Sequence, residues 1–172
     1  NVISIGENAF SDCNDLKSII FPNDSKIKTI EKGAFFNTAL ETIVFPSNIQ
    51  CISKGLFTSC KKLKNIIFKE DSKLIEISDD AFYGTNLENI SIPPKFNKCK
   101  NGWLAGAHSL KSISISPSNK SFLFVDNKFL IGKSDEKTDE FDTLIFARRD
   151  IEEAIIPANI KKINSYAFEN CF

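Results

Sequence analysis

Internal repetition constrains this chain more than any other property, because a repeat changes the meaning of every residue inside it. A shift of 47 residues places Ile30 on Ile77, Phe10 on Phe57, Phe35 on Phe82, Cys13 on Cys60 and Pro46 on Pro93. The tripeptide Asp24-Ser25-Lys26 returns intact as Asp71-Ser72-Lys73. Each such unit divides into two similar halves of the form I-x-x-I-x-x-x-A-F-x-x-C-x-x-L-x-x-I-x-F-P. The element L-x-x-I-x-I/F recurs as Leu16-Ile19-Phe21, Leu40-Ile43-Phe45, Leu63-Ile66-Phe68, Leu87-Ile90-Ile92 and Leu110-Ile113-Ile115, at intervals of 24, 23, 24 and 23 residues. A sixth copy, Ile151-Ala154-Ile156-Pro157, follows a longer gap.

A unit this short cannot bury its own apolar face, so neighbours must stack into a repeat solenoid. The L-x-x-I-x-I element ends in period-two alternation and is rich in β-branched residues, which predicts one short strand per repeat. Pro22, Pro46, Pro93 and Pro157 close most of these strands, at points where no ladder hydrogen bond is lost. Stacking then gives a parallel sheet on the concave face, with irregular or short helical segments returning on the convex side. Phe10, Phe35, Phe57, Phe82 and Phe168 form a core column, with Leu104 in the fifth copy. Each buried Phe contributes roughly 1.5–3 kcal/mol, so the 16 phenylalanines read as a stacking device. Trp103 falls in the column of Ala9, Ala34, Ala81 and Ala167. Either the backbone opens there, the favoured reading, or the indole turns outward.

The A-F-x-x-C-x-x-L-x-x-I-x-F-P pattern resembles the BspA-like leucine-rich repeats, the Treponema pallidum type. The match covers roughly residues 3–117 and 151–172. Between them, Ser118-Asn119-Lys120-Ser121-Phe122, Val125-Asp126-Asn127-Lys128-Phe129-Leu130 and Thr143-Leu144-Ile145-Phe146 resemble the hairpin that interrupts such repeats. That wording, with Ala147-Arg148-Arg149-Asp150, is most like the trichomonad surface members. The resemblance implies one leucine-rich repeat domain over 1–172, a piece of a longer array, with repeats at about 3–117 and 148–172 and an inserted β-hairpin at about 118–147. It also implies a cell-surface or secreted setting and adhesion to host-cell or matrix protein.

The remaining composition narrows the function. Twenty-two Lys and Arg balance 22 Asp and Glu, and Arg148 and Arg149 are the only arginines, which argues against a nucleic-acid groove. No apolar run approaches the ~18 residues of a membrane span. One histidine, His108, and no C-x-x-C pair leave no basis for a zinc site or a Cys-His centre. No phosphate loop or nucleophile elbow appears. The sequence thus implies no enzyme, no catalytic residue, no metal and no cofactor. Cys13, Cys60 and Cys171 share a column with Thr38, Thr85 and Ala107, which marks a need for small side chains. Cys13 and Cys60 lie two strands apart, nearly ~10 Å, beyond disulfide reach, so free buried thiols are expected.

The third and fifth positions of each strand face outward. The third reads Ser18, Thr42, Asn65, Asn89, Ser112 and Glu153; the fifth reads Ile20, Val44, Ile67, Ser91, Ser114 and Ile155. These twelve are the candidate protein-binding residues, because Ile20, Val44 and Ile67 would form an exposed apolar stripe. Packing within the sheet explains the same residues equally well. Second positions alternate in charge, Lys17, Glu41, Lys64, Glu88, Lys111 and Glu152, a pattern that favours register. The tip of the inserted hairpin, residues 132–140, reads as charged and mobile. Sequons occur at Asn23, Asn89 and Asn119, of which the loop sites Asn23 and Asn119 suit glycosylation. A protein-recognition or adhesion module that binds through the concave sheet or the inserted hairpin is the leading reading; the alternatives are a self-associating structural spacer and an intracellular scaffold.

Overall fold

The computed structural model describes residues 1–100, 102–135 and 137–171. The chain winds into a β-solenoid of about seven turns, and no helix occurs among the described residues. The convex segments are therefore tight turns throughout, which settles the choice left open by the sequence between irregular and short helical.

Four strands carry the predicted L-x-x-I-x-I register. They are β3 (Thr42–Val44), β5 (Asn65–Ile67), β7 (Asn89–Ile92) and β9 (Ser112–Ile115), and they pair in parallel in that order. Ile43, Ile66, Ile90 and Ile113 align across the ladder and all are buried. A second parallel ladder was not anticipated. Its two-residue strands are β1 (Ser4–Ile5), β2 (Thr29–Ile30), β4 (Cys51–Ile52), β6 (Glu76–Ile77) and β8 (Lys98–Cys99), forming the sheets β1-β2 and β4-β6-β8. Each exposes or half-exposes its first side chain and turns the second toward the core.

The Ala-Phe segment joins these strands through two bends of left-handed backbone. The residue before the Ala position is Asn8, Gly33, Gly55, Asp80, Gly102 or Tyr166, each with positive φ. A second left-handed residue follows two positions after the Phe position in each of these turns: Asp12, Asn37, Ser59, Gly84, Gly106 or Asn170. Gly, Asn and Asp dominate both columns because their steric cost there is small. Between the bends the backbone donates to the next turn, as in Phe57 N to Ala81 O at 2.9 Å and Ser59 N to Tyr83 O at 2.9 Å.

The rings stack as predicted. Centroids are 5.6 Å apart for Phe10–Phe35, 5.6 Å for Phe35–Phe57 and 6.1 Å for Phe57–Phe82. The fifth turn differs from expectation: Trp103 is buried and meets Phe82 edge-on at 6.3 Å. It continues the aromatic column through Phe96 to Phe122, at 5.5 and 5.0 Å, while Leu104 is buried beside it. The next turn brings no Ala-Phe segment, so a large ring fits at that level. Phe168 packs separately, against Phe129 at 6.2 Å.

That next turn is replaced by three antiparallel strands. These are β10 (Phe122–Val125), β11 (Phe129–Gly132) and β12 (Thr143–Ala147), and β12 then pairs in parallel with β13 (Lys162–Ile163). Asp126 and Asn127, both left-handed, make the turn between β10 and β11, the backbone that a tight hairpin demands. The convex turns remain in contact across the insert. Gly106 N donates to Glu169 Oε2 at 2.9 Å, and Asn170 lies 3.3 Å from the His108 ring. Tyr166 covers Gly102, where a Cβ would come within 3.0 Å of its ring.

Two polar side chains seat the insert. Asn119 donates to Pro93 O at 2.7 Å and Phe96 O at 2.9 Å, and accepts from Ser121 N and Phe122 N at 2.9 and 3.1 Å. Arg149, 6% exposed, donates to Ala167 O at 2.7 Å and Tyr166 O at 3.0 Å and lies 4.6 Å over the Phe146 ring. Its guanidinium caps carbonyls of the following turn.

Candidate functional site

Eight of the twelve outward candidates lie on one continuous surface. Thr42, Asn65, Asn89 and Ser112 align in one row across β3, β5, β7 and β9, and Val44 aligns with Ile67 and Ser91 with Ser114 in the next. The first row is tied together by its amides: Asn89 Nδ2 donates to Asn65 Oδ1 at 2.8 Å, and Asn65 Nδ2 donates to Thr42 Oγ1 at 3.2 Å. The rotamers of this row are thereby fixed before any partner arrives. Beside it, Val44 and Ile67 are 40% and 41% exposed, an apolar pair flanked by pre-oriented amide and hydroxyl groups.

Ser91 is committed to the backbone. Its Oγ accepts from Phe68 N at 2.7 Å, so the hydroxyl substitutes for a strand bond where the β5–β7 ladder ends. The outer four candidates are not on this ladder. Ser18 and Ile20 flank it on the first turn, which joins β3 through Glu41 N to Lys17 O at 3.2 Å and leaves Ile20 87% exposed. Glu153 and Ile155 lie beyond the insert in a segment without strand pairing, with Ile155 75% exposed. The insert separates that segment from β9 in sequence and in sheet order.

Alternating charges border the surface. Lys64 and Glu88 pair at 3.1 Å, and Lys17, Glu41, Lys64, Glu88 and Lys111 are linked by backbone bonds from each to the one before. Exposed pairs of this kind contribute ~0–1 kcal/mol, so the row serves register. Glu152 is exposed in the segment beyond the insert.

The thiols differ from the uniform burial expected of them. Cys13 is exposed. Cys60 is fully buried, donates to Phe35 O at 2.9 Å and has its ionisation pushed up by desolvation. Its column partners Thr38 and Thr85 bond to the Phe35 and Phe82 carbonyls at 3.1 and 2.8 Å, while Ala107 fills the same place without a donor, so small volume is what the column requires. Cys99 lines the second ladder, where burial raises its thiol to about 11. Among the described residues no group of three His, Cys, Asp or Glu side chains is placed to hold a metal ion.

One loop expectation changes. Asn119 is 9% exposed with its amide engaged by four bonds, so it cannot present nitrogen to a glycosylating enzyme in the folded chain. Asn23 is exposed, its oxygen accepting from Lys69 Nζ at 3.0 Å. In the hairpin tip, of which Glu136 lies outside the described residues, Ser134 is tied to the Asp142 carboxylate. Ser134 N and Oγ donate to it at 2.9 and 2.8 Å and hold its pKa below the ordinary carboxylate range.

The architecture has solved counterparts. The pneumococcal vaccine antigen PcpA matches with a TM-score of 0.81 and 30% identity over 91% of this chain and 38% of its own. A leucine-rich cell surface protein of Faecalibacterium prausnitzii matches at 0.75 and 25% identity, over 99% of this chain and 50% of its own. A leucine-rich repeat protein of Eubacterium ventriosum shares the fold at 0.57 and 21% identity, over 98% of this chain and 37% of its own. The chain thus spans between about a third and a half of the length of these structures. No curated protein matches it by sequence. The model of the BspA type leucine-rich repeat region matches in six copies over residues 1–111 and 71–172. Repeat pattern, ladder geometry and matched family agree, and the chain belongs to the BspA type leucine-rich repeat family, whose stacked turns form a protein-interaction module.

Proposed function

We propose that this chain is a non-catalytic recognition module of a cell-surface leucine-rich repeat protein, which binds a host-cell or matrix protein through its concave sheet. The observation that carries the reading is the apolar pair Val44 and Ile67, exposed beside the fixed row Thr42, Asn65 and Asn89. Burying the exposed part of each apolar side chain contributes about 1–2 kcal/mol to a complex, and the ordered amides add orientation at little entropic cost. Ser112, Ser114, Ser18 and Ile20 extend the same face, while Glu153, Ile155 and the committed Ser91 hydroxyl are peripheral to it.

The test is binding of the chain to an array of purified extracellular-matrix proteins, repeated with Val44→Glu combined with Ile67→Glu and with Lys62→Glu on the convex side. The expected result is at least a tenfold loss for the concave pair and no loss for Lys62→Glu. An array without a binder, or equal binding by the folded concave variant, refutes the assignment.

A further inference from the structure

The insert creates a second feature on the opposite ladder. In the regular turns each short strand receives bonds from the next: Ser78 N donates to Ile52 O at 3.0 Å and Lys100 N to Ile77 O at 3.2 Å. Cys99 is the next member of that series, but the sheet β4-β6-β8 ends there, because the following turn departs into β10. Among the described residues no donor reaches the Cys99 carbonyl. A strand edge is thus left open beside a cleft of about 730 Å3, walled on its far side by the ends of β10, β11 and β12.

The cleft is strongly basic in a chain whose formal charge is zero. Lys98, Lys100, Lys120, Lys133 and Lys162 line it, against the acidic side chains of Glu76 and Asp139. Lys100 is paired with Glu76 at 3.7 Å and Lys133 with Asp139 at 3.4 Å. Lys98, Lys120 and Lys162 are exposed and make no ion pair among the described residues. Three uncompensated ammonium groups therefore surround an unpaired strand edge. An open edge recruits extended peptide by backbone bonding, and converging cations select its charge.

We propose that this cleft binds an acidic peptide in extended conformation, added as a strand along the outer edge of β8 with its carboxylates on Lys98, Lys120 and Lys162. Carboxylates on alternate residues of such a strand point to one side, toward the lysines, while its backbone N–H groups face the β8 carbonyls. The site is independent of the concave surface and shares no residue with it.

Fluorescence anisotropy tests the proposal on the whole chain, with a labelled peptide of alternating glutamate and valine about eight residues long. Binding that weakens with added salt is expected. Lys98→Glu with Lys162→Glu is expected to reduce affinity at least tenfold, and the milder Lys98→Ala with Lys162→Ala to reduce it in the same direction. A peptide N-methylated on the residues that face β8 is expected to lose affinity by a similar factor, which charge attraction alone does not explain. No binding of the unmodified peptide, equal binding by the lysine variants, or equal binding of the methylated peptide overturns the proposal. Tighter binding of a heparin hexasaccharide than of the peptide also overturns it, by assigning the cleft to a sulfated glycan.

Discussion

Truncating the centre of the ring column tests what holds the turns together. Phe57 is completely buried, stacked on Phe35 at 5.6 Å and Phe82 at 6.1 Å, and meets Phe45 edge-on at 6.0 Å. Removing a buried Phe to Ala costs about 3–5 kcal/mol. Three lost ring contacts, each contributing ~0.5–1.5 kcal/mol beyond area, place Phe57→Ala in the upper part of that range. For a chain of this size the loss lowers the melting temperature by about 8–20 °C. Phe10 has a single stacked neighbour, Phe35, and is only partly buried, so Phe10→Ala should cost less than half as much. Urea unfolding followed by circular dichroism and by Trp103 fluorescence reads both effects. The chain has one Trp, and it follows Phe82 in the ring column, so its emission reports the turns beyond the substitution. Each repeat contacts chiefly its neighbours, so a weakened central interface separates the two transitions in Phe57→Ala. A loss below about 1.5 kcal/mol, or equal losses at Phe57 and Phe10, would falsify the view that ring stacking couples the turns.

Asn119→Ala should destabilise by about 2–4 kcal/mol, read by thermal melting, because it strands two carbonyls and two amides at the entrance of the insert. Expression in a glycosylating host should leave Asn119 unmodified by mass spectrometry, whereas glycan at that position would contradict its burial. Thiol labelling at about pH 8 should modify Cys13 rapidly and spare Cys60 and Cys99 until denaturant is added. The raised Cys99 thiol favours the folded state fully below its ordinary value of 9.0, and that contribution is lost as pH rises through about 11; stability of Cys99→Ala measured across this window should show a shallower decline. Gly106→Ala should cost at least ~1 kcal/mol, since its φ is 74° and a Cβ would lie 3.0 Å from Tyr83 and 3.1 Å from Gly84 N. Gly6→Ala meets nothing within 4 Å and should be neutral by the same melting assay.

The parts legible in the sequence are those whose period survives side-chain substitution. The strand register and the ring column repeat an apolar type at fixed spacing, and both stand in the structure where the spacing put them. The second ladder escaped because a two-residue strand is too short for alternation to register. The left-handed columns were visible only as scattered Gly, Asn and Asp, and Ser59 and Tyr166 hide the pattern. Trp103 was misplaced by alignment to a small-residue column, since the space it fills arises from the insert and not from its own repeat. Outward strand positions followed directly from alternation. The amide row and the Ser91 bond to Phe68 needed coordinates, because both depend on rotamers across strands. The basic cleft was illegible for a related reason: its lysines come from β8, the entry and tip of the insert, and β13, and no sequence spacing links them.

The contacts that bypass the insert have a mechanical consequence. Glu169 on Gly106 N, Asn170 on His108 and Tyr166 over Gly102 make the convex wall continuous, so load along the long axis can pass without crossing β10, β11 or β12. Those strands then behave as a side branch on a rigid rod. Their tip can lengthen, shorten or exchange sequence while the rod keeps its pitch, a division of labour that lets recognition diversify at constant scaffold stability.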